Sequence, residues 1–523
     1  MKKSLAIFLL FIITFHAYSQ LDSLKASVTS MAAFGSEGYL PFHIGYNQFG
    51  RFNPNTNDAF LQASVYYPIL SKGRWKIETG LDYIVKPVLD ESFFHQGFLN
   101  IKYGKIALRF GKNEIQNDWY NDELGAGNMF QSQNARTISK IGLGIWEYTP
   151  VPFFNYLEVK GGAEIGLLED ERVVQDAYIH EKFAYIKTAQ LPVNLFVGLN
   201  HQVLFGGTNQ NNGRVLPSNF FEAFFAQNAP NSGNRSDSIN AAGAHFGVFD
   251  LGFELPIENS LLKASFQQPI SDASGYQTNF TANKDYILSV ELQLEDHPFL
   301  RGLMYENYNT VHQSGEGLPD PRVNGQFYLL GELRAIEDYD QFVLDEFGLE
   351  VDNISWPEFR KIVMREANFG YKYSGRDDHY NNGQYPFGHT FHQFVIGNPL
   401  FTTKDRFETA TGETLKERLF VINNRIVAHH VGIAGYYKDI DINLLFTWSY
   451  NYGTYAGKYN GSRGSWNYDP DYYFTNVVGL QYMALELAKS HKNWDMNLNI
   501  GVDTGDFGTN VGGSVGLTYH IAR

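Results

Sequence analysis

Cysteine is absent from this chain of 523 residues, which excludes disulfides, thiolate metal sites, cysteine nucleophiles and lipidation of a terminal cysteine. Charge is sparse as well: Lys, Arg, Asp and Glu make up 19%, against roughly 25% in soluble globular domains. There is no basic surplus to neutralise phosphates, because 41 Lys and Arg face 56 Asp and Glu, so nucleic acid is not an expected partner. After residue 20 no apolar run reaches the ~18 residues a membrane helix needs. A mean hydropathy of -0.30 leaves a strand-built membrane protein open, since strands that alternate lipid-facing and lumen-facing side chains average out as polar.

Aromatic residues reach 16%, with 33 Tyr, 42 Phe and 7 Trp beside 50 Gly. Disorder needs the opposite composition, and Gly with aromatics disfavours a helical protein. The N-terminus carries Lys2 and Lys3, an apolar stretch from Leu5 to Phe15, and Ala17-Tyr18-Ser19 with small residues where a signal peptidase reads. Residues 1–19 are predicted to be a cleaved signal peptide, followed by one domain over residues 20–523. Removing Lys2 and Lys3 leaves 39 basic groups against 56 acidic ones, or -17.

Period-two alternation dominates the rest. With Gly104-Lys105 as a two-residue turn, Tyr103 faces Ile106, Ile101 faces Leu108 and Leu99 faces Phe110, while Lys102 meets Ala107 and Asn100 meets Arg109. One side is then apolar and the other largely polar, and a one-residue slip would destroy the segregation. The same pattern puts Trp75, Ile77, Leu81 and Tyr83 opposite Lys76, Glu78, Gly80 and Asp82. It also puts Trp494, Met496, Leu498, Ile500 and Val502 opposite Asp495, Asn497, Asn499, Gly501 and Asp503. The last strand sets Val515, Leu517, Tyr519 and Ile521 against Ser514, Gly516, Thr518 and His520. This predicts an all-β fold, a transmembrane antiparallel β-barrel of about 16 to 18 strands.

Counting back from a periplasmic C-terminus puts 504–510, 453–476 and about 399–418 outside, and 489–493 and 438–441 inside. One stretch departs from strand patterning. Ser355-Trp356-Pro357-Glu358 reads as a helix start, and Gly370 closes the run through Phe359, Ile362, Val363 and Met364. It predicts a small helical insertion at about 313–385, on the periplasmic side or folded into the lumen.

Gly512-Gly513-Ser514-Val515-Gly516 matches a nucleophile elbow, but that chemistry needs a helix after the serine and only seven residues remain, so a lumen-facing strand serine is expected. His389 and His392 are three apart and His429 and His430 adjacent, and neither spacing puts two rings on one face of a strand, so no metal site is expected. No catalytic or cofactor-binding residues stand out. Sugars offer hydroxyls to planar hydrogen-bonding groups and C–H faces to aromatic rings. Arg376, Asp377, Asp378, Tyr380, Asn381, Asn382 and Tyr385 supply both, as do Asn423, Asn424 and Arg425, and the outer stretch with Tyr455, Tyr459, Arg463 and Trp466. The same residue types also build structural Asx turns.

Several segments, in order, resemble the capsule-assembly Wzi family of outer-membrane proteins. They are Ala177 to Lys187, Gly198 to Gly207, Ala244-His245-Phe246-Gly247, Gln268 to Gly275, Tyr305 to Thr310 with Gln313-Ser314-Gly315, Gly375 to Asn382, Ile396 to Leu400, and Asn423-Asn424-Arg425. The chain has Phe205 where the family often has Trp, and Gly243-Ala244-His245 where it has Gly-Asn-His. The resemblance implies a lectin-like barrel in outer-membrane lipid that anchors capsular or other surface polysaccharide, working beside the capsule export machinery and without enzymatic turnover. The alternatives are a passive diffusion channel and an outer-membrane hydrolase.

Overall fold

The computed structural model describes residues 23–522 except 116, 231–236, 239–240, 272–282, 315–325, 330–331, 336–340, 342–343, 346–347, 349, 351–376, 416–417 and 459–470. Eighteen antiparallel strands form one closed sheet. The first nine are β1 (Lys25–Gly35), β2 (Asp58–Lys72), β3 (Trp75–Val85), β4 (Phe93–Tyr103), β5 (Ile106–Lys112), β6 (Ser139–Val151), β7 (Phe154–Leu167), β8 (Tyr178–Thr188) and β9 (Asn194–Phe205). The second nine are β10 (Ala244–Ile257), β11 (Ser260–Ile270), β12 (Tyr286–Leu294), β13 (Leu300–Asn309), β14 (Ile426–Tyr437), β15 (Ile440–Asn451), β16 (Val478–His491), β17 (Trp494–Gly505) and β18 (Asn510–Ala522). Each pairs with its neighbours in sequence, and β1 closes on β18 from Ala26↔Ala522 to Gly35↔Gly512, so the sheet has no free edge.

Alternation fixed the register. The hairpin of β4 and β5 pairs Tyr103↔Ile106, Lys102↔Ala107, Ile101↔Leu108, Asn100↔Arg109 and Leu99↔Phe110, as expected. On β17 and β18, Met496, Leu498, Ile500, Val515 and Leu517 are exposed on the outer face while Ser514 is buried in the lumen, where it accepts from Asn499 Nδ2 at 3.0 Å. His429 and His430 part as a strand requires. His429 stays outside beside the Tyr305 hydroxyl at 2.9 Å, and His430 turns inward to Thr447 Oγ1 at 2.8 Å and the Leu124 carbonyl at 2.7 Å.

The two ends differ. Eight turns of two to five residues sit at one end, among them 73–74, 104–105, 438–439 and 492–493. The other end carries the long connections: 36–57, 86–92, 113–138, 168–177, 206–243, 271–285, 310–425, 452–477 and 506–509. Exposed aromatics ring both rims of the outer face, with Phe34, Phe94, Tyr178, Tyr305, Trp448 and Tyr450 toward the long connections and Trp75, Tyr103, Tyr156, Trp494 and Tyr519 toward the turns. Paired aromatic girdles flanking an apolar band fit a wall that meets lipid head groups at two levels.

Long connections fold back into the lumen. Their apolar residues, including Phe42, Tyr46, Met129, Phe391, Ile396, Phe401, Phe407 and Ile422, form one cluster with the inward-facing Phe246, Tyr308 and Tyr482 of the wall. The plug seats where the wall lacks side chains: a Cβ on Gly432 would meet the Leu124 carbonyl at 2.3 Å, and one on Gly501 would meet Ile44 at 2.9 Å. No barrel strand separates 313–385 from 399–418, which corrects the loop parity. Residues 310–425 form a single connection at the long-loop end, and its described stretches 377–415 and 418–425 pack into the lumen. The helix predicted around 355–370 lies outside the described residues.

Candidate functional site at the long-loop end

Of the residues picked out as sugar-type, Asp377, Asp378, Tyr380, Asn381, Asn382, Tyr385, Asn423, Asn424, Arg425 and Tyr455 are described, and the plug gathers most of them into one hydrogen-bonded knot. Asn424 Nδ2 donates to Asp378 Oδ1 at 2.7 Å and to the His379 carbonyl at 2.9 Å, and its Oδ1 accepts from Gln313 Nε2 at 2.9 Å. Asn381 Nδ2 reaches the same Asp378 oxygen at 3.0 Å and the Val421 carbonyl at 2.8 Å. Ser314 Oγ donates to Asp377 Oδ2 at 2.6 Å. Asn423 Nδ2 donates to Asn451 Oδ1 at 2.8 Å, and its Oδ1 accepts from the Gly453 amide at 2.9 Å. The Arg425 guanidinium lies 3.9 Å from the Tyr455 ring centre, and its Nε donates to the Val311 carbonyl at 3.0 Å.

Burial decides what these groups can do. Asp377, Asp378, Tyr380, Tyr385, Asn423, Asn424 and Tyr455 are all at most 5% exposed, whereas Asn381, Asn382 and Arg425 are half-buried. The Tyr380 ring packs on Phe246 and Phe401, and its hydroxyl donates to the Met129 carbonyl. The Tyr385 hydroxyl donates to the Gly206 carbonyl at 3.0 Å. Burial pushes both phenols well above their ordinary range. Asn382 Oδ1 accepts from the Gln384 amide at 2.8 Å, an Asx turn. Asn423 ends the short strand Val421–Asn423, which pairs with Thr402–Thr403 inside the plug, and Asn424 lies between it and β14, which begins at Ile426. Arg376, Tyr459, Arg463 and Trp466 lie outside the described residues.

Three further clusters escaped sequence reading. Ser271 Oγ lies 2.7 Å from His379 Nδ1, and His379 Nε2 lies 2.8 Å from Asp285 Oδ2; the tautomer that satisfies both carries its proton on Nε2. Asp285 also accepts the amides of His312 at 2.9 Å and Gln313 at 2.7 Å. Serine, histidine and acid also make a hydrolytic triad, yet there the serine meets Nε2 and the acid Nδ1. Here the order is reversed and the imidazole is fully buried, so the relay clamps 271, 285, 312–313 and 379 together. Among the described residues, Asp82, His95 and Glu114 place ligand atoms within 4.8 Å of one another. Arg51 pairs with Glu114 and approaches His95 Nε2 at 3.3 Å, supplying the positive charge a cation would bring.

The third missed feature faces the long-loop end. Arg406, in α1 (Lys404–Thr411), stacks over Tyr46 at 4.5 Å, Phe42 at 4.9 Å and Tyr482 at 5.4 Å, and among the described residues its guanidinium makes no ion pair. Tyr39, Asn55, Asp503 and Thr504 complete the pocket around it. Asp503 is occupied by the Phe42 amide at 2.9 and 3.0 Å, and Asp405, raised above the usual carboxylate range by burial, accepts from Asn55 Nδ2 at 2.7 Å. The cavity is about 20 Å³, room for a water-sized group and not for a ring. Guanidinium, phenols and amide side by side can grip one substituent of a sugar. These residues come from four separate segments, and only the inward facing of Asp503 was read from spacing.

No protein-family model matches the chain, and no curated protein matches it. Solved structures do. Wzi, an outer-membrane protein involved in group 1 capsule assembly in Escherichia coli and a carbohydrate-binding β-barrel, aligns with TM-score 0.53 at 12% identity, over 98% of this chain and 88% of its own. The fold is that of an outer-membrane β-barrel. OprD of Pseudomonas aeruginosa aligns with TM-score 0.43 at 9% identity, over 95% of this chain and 94% of its own. OpdL of the same organism aligns with TM-score 0.43 at 9% identity, over 95% and 97%.

Proposed function

We propose that this chain is a non-catalytic outer-membrane barrel of the Wzi type that holds capsular or other surface polysaccharide at the cell exterior, working beside the capsule export machinery. The observation that carries this reading is a lumen packed with the barrel's own connections, with Arg406, which makes no ion pair among the described residues, set among tyrosines at the end where those connections emerge. A packed lumen suits a platform better than a conduit. The likeness in fold to a carbohydrate-binding barrel and the ordered segments that resemble the Wzi family point the same way.

In this proposal the predicted sugar-type residues divide by burial. Asp377, Asp378, Tyr380, Tyr385, Asn423, Asn424 and Tyr455 shape the platform from beneath, and Asn381, Asn382 and Arg425 stand nearest its surface. Arg406 with Tyr39 would take one projecting hydroxyl or carboxylate of the glycan, whose rings rest outside the small cavity. Arg376, Tyr459, Arg463 and Trp466 remain glycan-binding candidates on their residue types alone. Deleting the gene in an encapsulated host should leave polymer secretion intact and move polymer from the cell surface into the medium. Unchanged retention would overturn the reading.

The diffusion-channel alternative has one observation in its favour. A cavity of about 510 Å³ opens along β1 to β4 and β18, lined by Ser27, Ser64, Tyr66, Asp82, Gln96, Phe98 and His520 among others.

A further inference from the structure

We propose that the short helical stretch Phe220 to Phe225, in the connection between β9 and β10, lies over the outside of the barrel and inserts Phe221 and Phe225 into the outer leaflet of the membrane, as an interfacial anchor separate from the glycan platform. The argument begins with which face the segment covers. Ile141, Ile165, His180, Val203 and His245 form one cross-strand row over β6 to β10. Ile141 is 54% exposed on the outer surface, so the row faces away from the lumen. Yet His180 and Val203, in that row, are fully buried.

What buries them is the helix α2 (Phe220–Phe224), capped by Asn219, whose side chain accepts from the Phe221 amide. Phe224 stacks on His180 at 4.9 Å, Phe220 meets the same ring edge-on at 5.7 Å, and Ala223 and Phe220 cluster with Val203, Phe205 and Ile165. Lys182, on the outer face two residues below His180, donates Nζ to the Phe224 carbonyl and lies 4.4 Å from the Phe224 ring centre. Helix and wall are therefore tied by both packing and hydrogen bonding.

Facing the wall at positions 220 and 224 turns 221 and 225 away from it. Phe221 is 67% exposed and Phe225 61%, and Val215 in the same connection is 69% exposed. The contact with His180 and Val203 lies two residues below the strand ends at Tyr178 and Phe205, roughly 7 Å down the strand. That depth is the level of the aromatic rim to which Tyr178 belongs, and the outer band continues beneath it through Leu199 and Leu251. An apolar helix face at this level matches elements that sink about 5–10 Å into the boundary of head groups and acyl chains. The roof also explains why imidazoles are tolerated here: His201 Nε2 and His245 Nδ1 lie 3.1 Å apart on the outer face, enclosed by the connection and not by lipid.

The absence of cysteine makes the test clean, because a single introduced thiol is a unique label site. Phe221→Cys, Leu199→Cys on the lipid-facing wall and Thr509→Cys in the exposed turn before β18 would each carry a nitroxide in the full-length protein, reconstituted in phospholipid bilayers. The Phe221 label should be broadened by oxygen and lose the broadening by a water-soluble nickel chelate seen at Thr509, matching Leu199. Nickel broadening equal to that at Thr509 would overturn the proposal. So would shielding from both reagents together with spin–spin broadening that grows with protein-to-lipid ratio, since the face would then meet a second copy of the chain. Failure of glycan retention would leave this result untouched.

Discussion

Asn424→Ala should unlatch the plug while leaving the wall closed. Asn424 is fully buried, and its side chain bridges Asp378, the His379 carbonyl and Gln313. Removing it leaves the His379 carbonyl without that amide and Asp378 Oδ1 with Asn381 alone, whereas Gln313 Nε2 keeps the Asn424 carbonyl at 3.0 Å. Two buried groups are thereby weakened, each at ~1–3 kcal/mol, so about 3 kcal/mol is a fair expectation. The population of the opened plug should rise roughly a hundredfold. Hydrogen exchange followed by mass spectrometry reads this directly: peptides within 377–415 and 418–425 should exchange far faster, and peptides from β17 and β18 should be unchanged. Asn382→Ala, which removes only a half-buried turn contact, should shift exchange by less than about 1 kcal/mol equivalent. Unchanged exchange in the plug, or equal acceleration of the strands, would refute the view that the knot latches the plug independently of the wall.

Leu498→Arg on the outer band should destabilise the barrel by ~2–4 kcal/mol in bilayer refolding titrations, and Asn499→Arg, on the lumen side, should not show that depth-dependent loss. His389 is held down to about 3 by burial and then by His245 and Arg172, so the folded plug keeps it neutral while an unfolded chain protonates it near 6.5. Its folded pKa being depressed, this histidine favours the folded plug fully above pH 6.5, and that contribution falls by at most ~1.4 kcal/mol per unit as pH drops from 6.5 toward 3. Plug protection, measured relative to the intrinsic amide exchange rate at each pH, should therefore fall between pH 6 and 4, and His389→Gln should flatten that dependence; an unaltered profile would contradict the assignment. Arg406→Gln and Tyr39→Phe should each weaken binding of the purified host polysaccharide by about tenfold in calorimetry, the worth of a charge-assisted contact, and equal affinity would remove the pocket from the site.

The wall was legible because period-two alternation carries its own check: in the hairpin of β4 and β5 one register segregates apolar from polar, and the neighbouring register scrambles them. Closure and strand number followed within the expected range. The plug was less legible, since its order comes from contacts such as Asn424 with Gln313, more than a hundred residues apart, which no local spacing reports. The sugar-type residues were picked out by residue type in separate segments, and neither the contacts that join the described ones nor their degree of burial was visible, because Asn and Asp serve buried turns and ligands with the same atoms. The periplasmic option for 313–385 fell because no wall strand lies between it and 399–418, where Thr390–Phe391 and Phe394–Val395 make only a small hairpin inside the plug. Arg406 offered no signal at all, since its cage is assembled by tertiary packing of Phe42, Tyr46 and Tyr482.

Planar-bilayer recording of the purified protein tests the central claim most directly, because a platform and a pore share this wall and differ only in whether the lumen passes ions. The account predicts a membrane that stays silent under steady voltage, with brief openings only when Asn424 is replaced by alanine. A steady, ohmic conductance from the unaltered protein would contradict it and restore the diffusion channel.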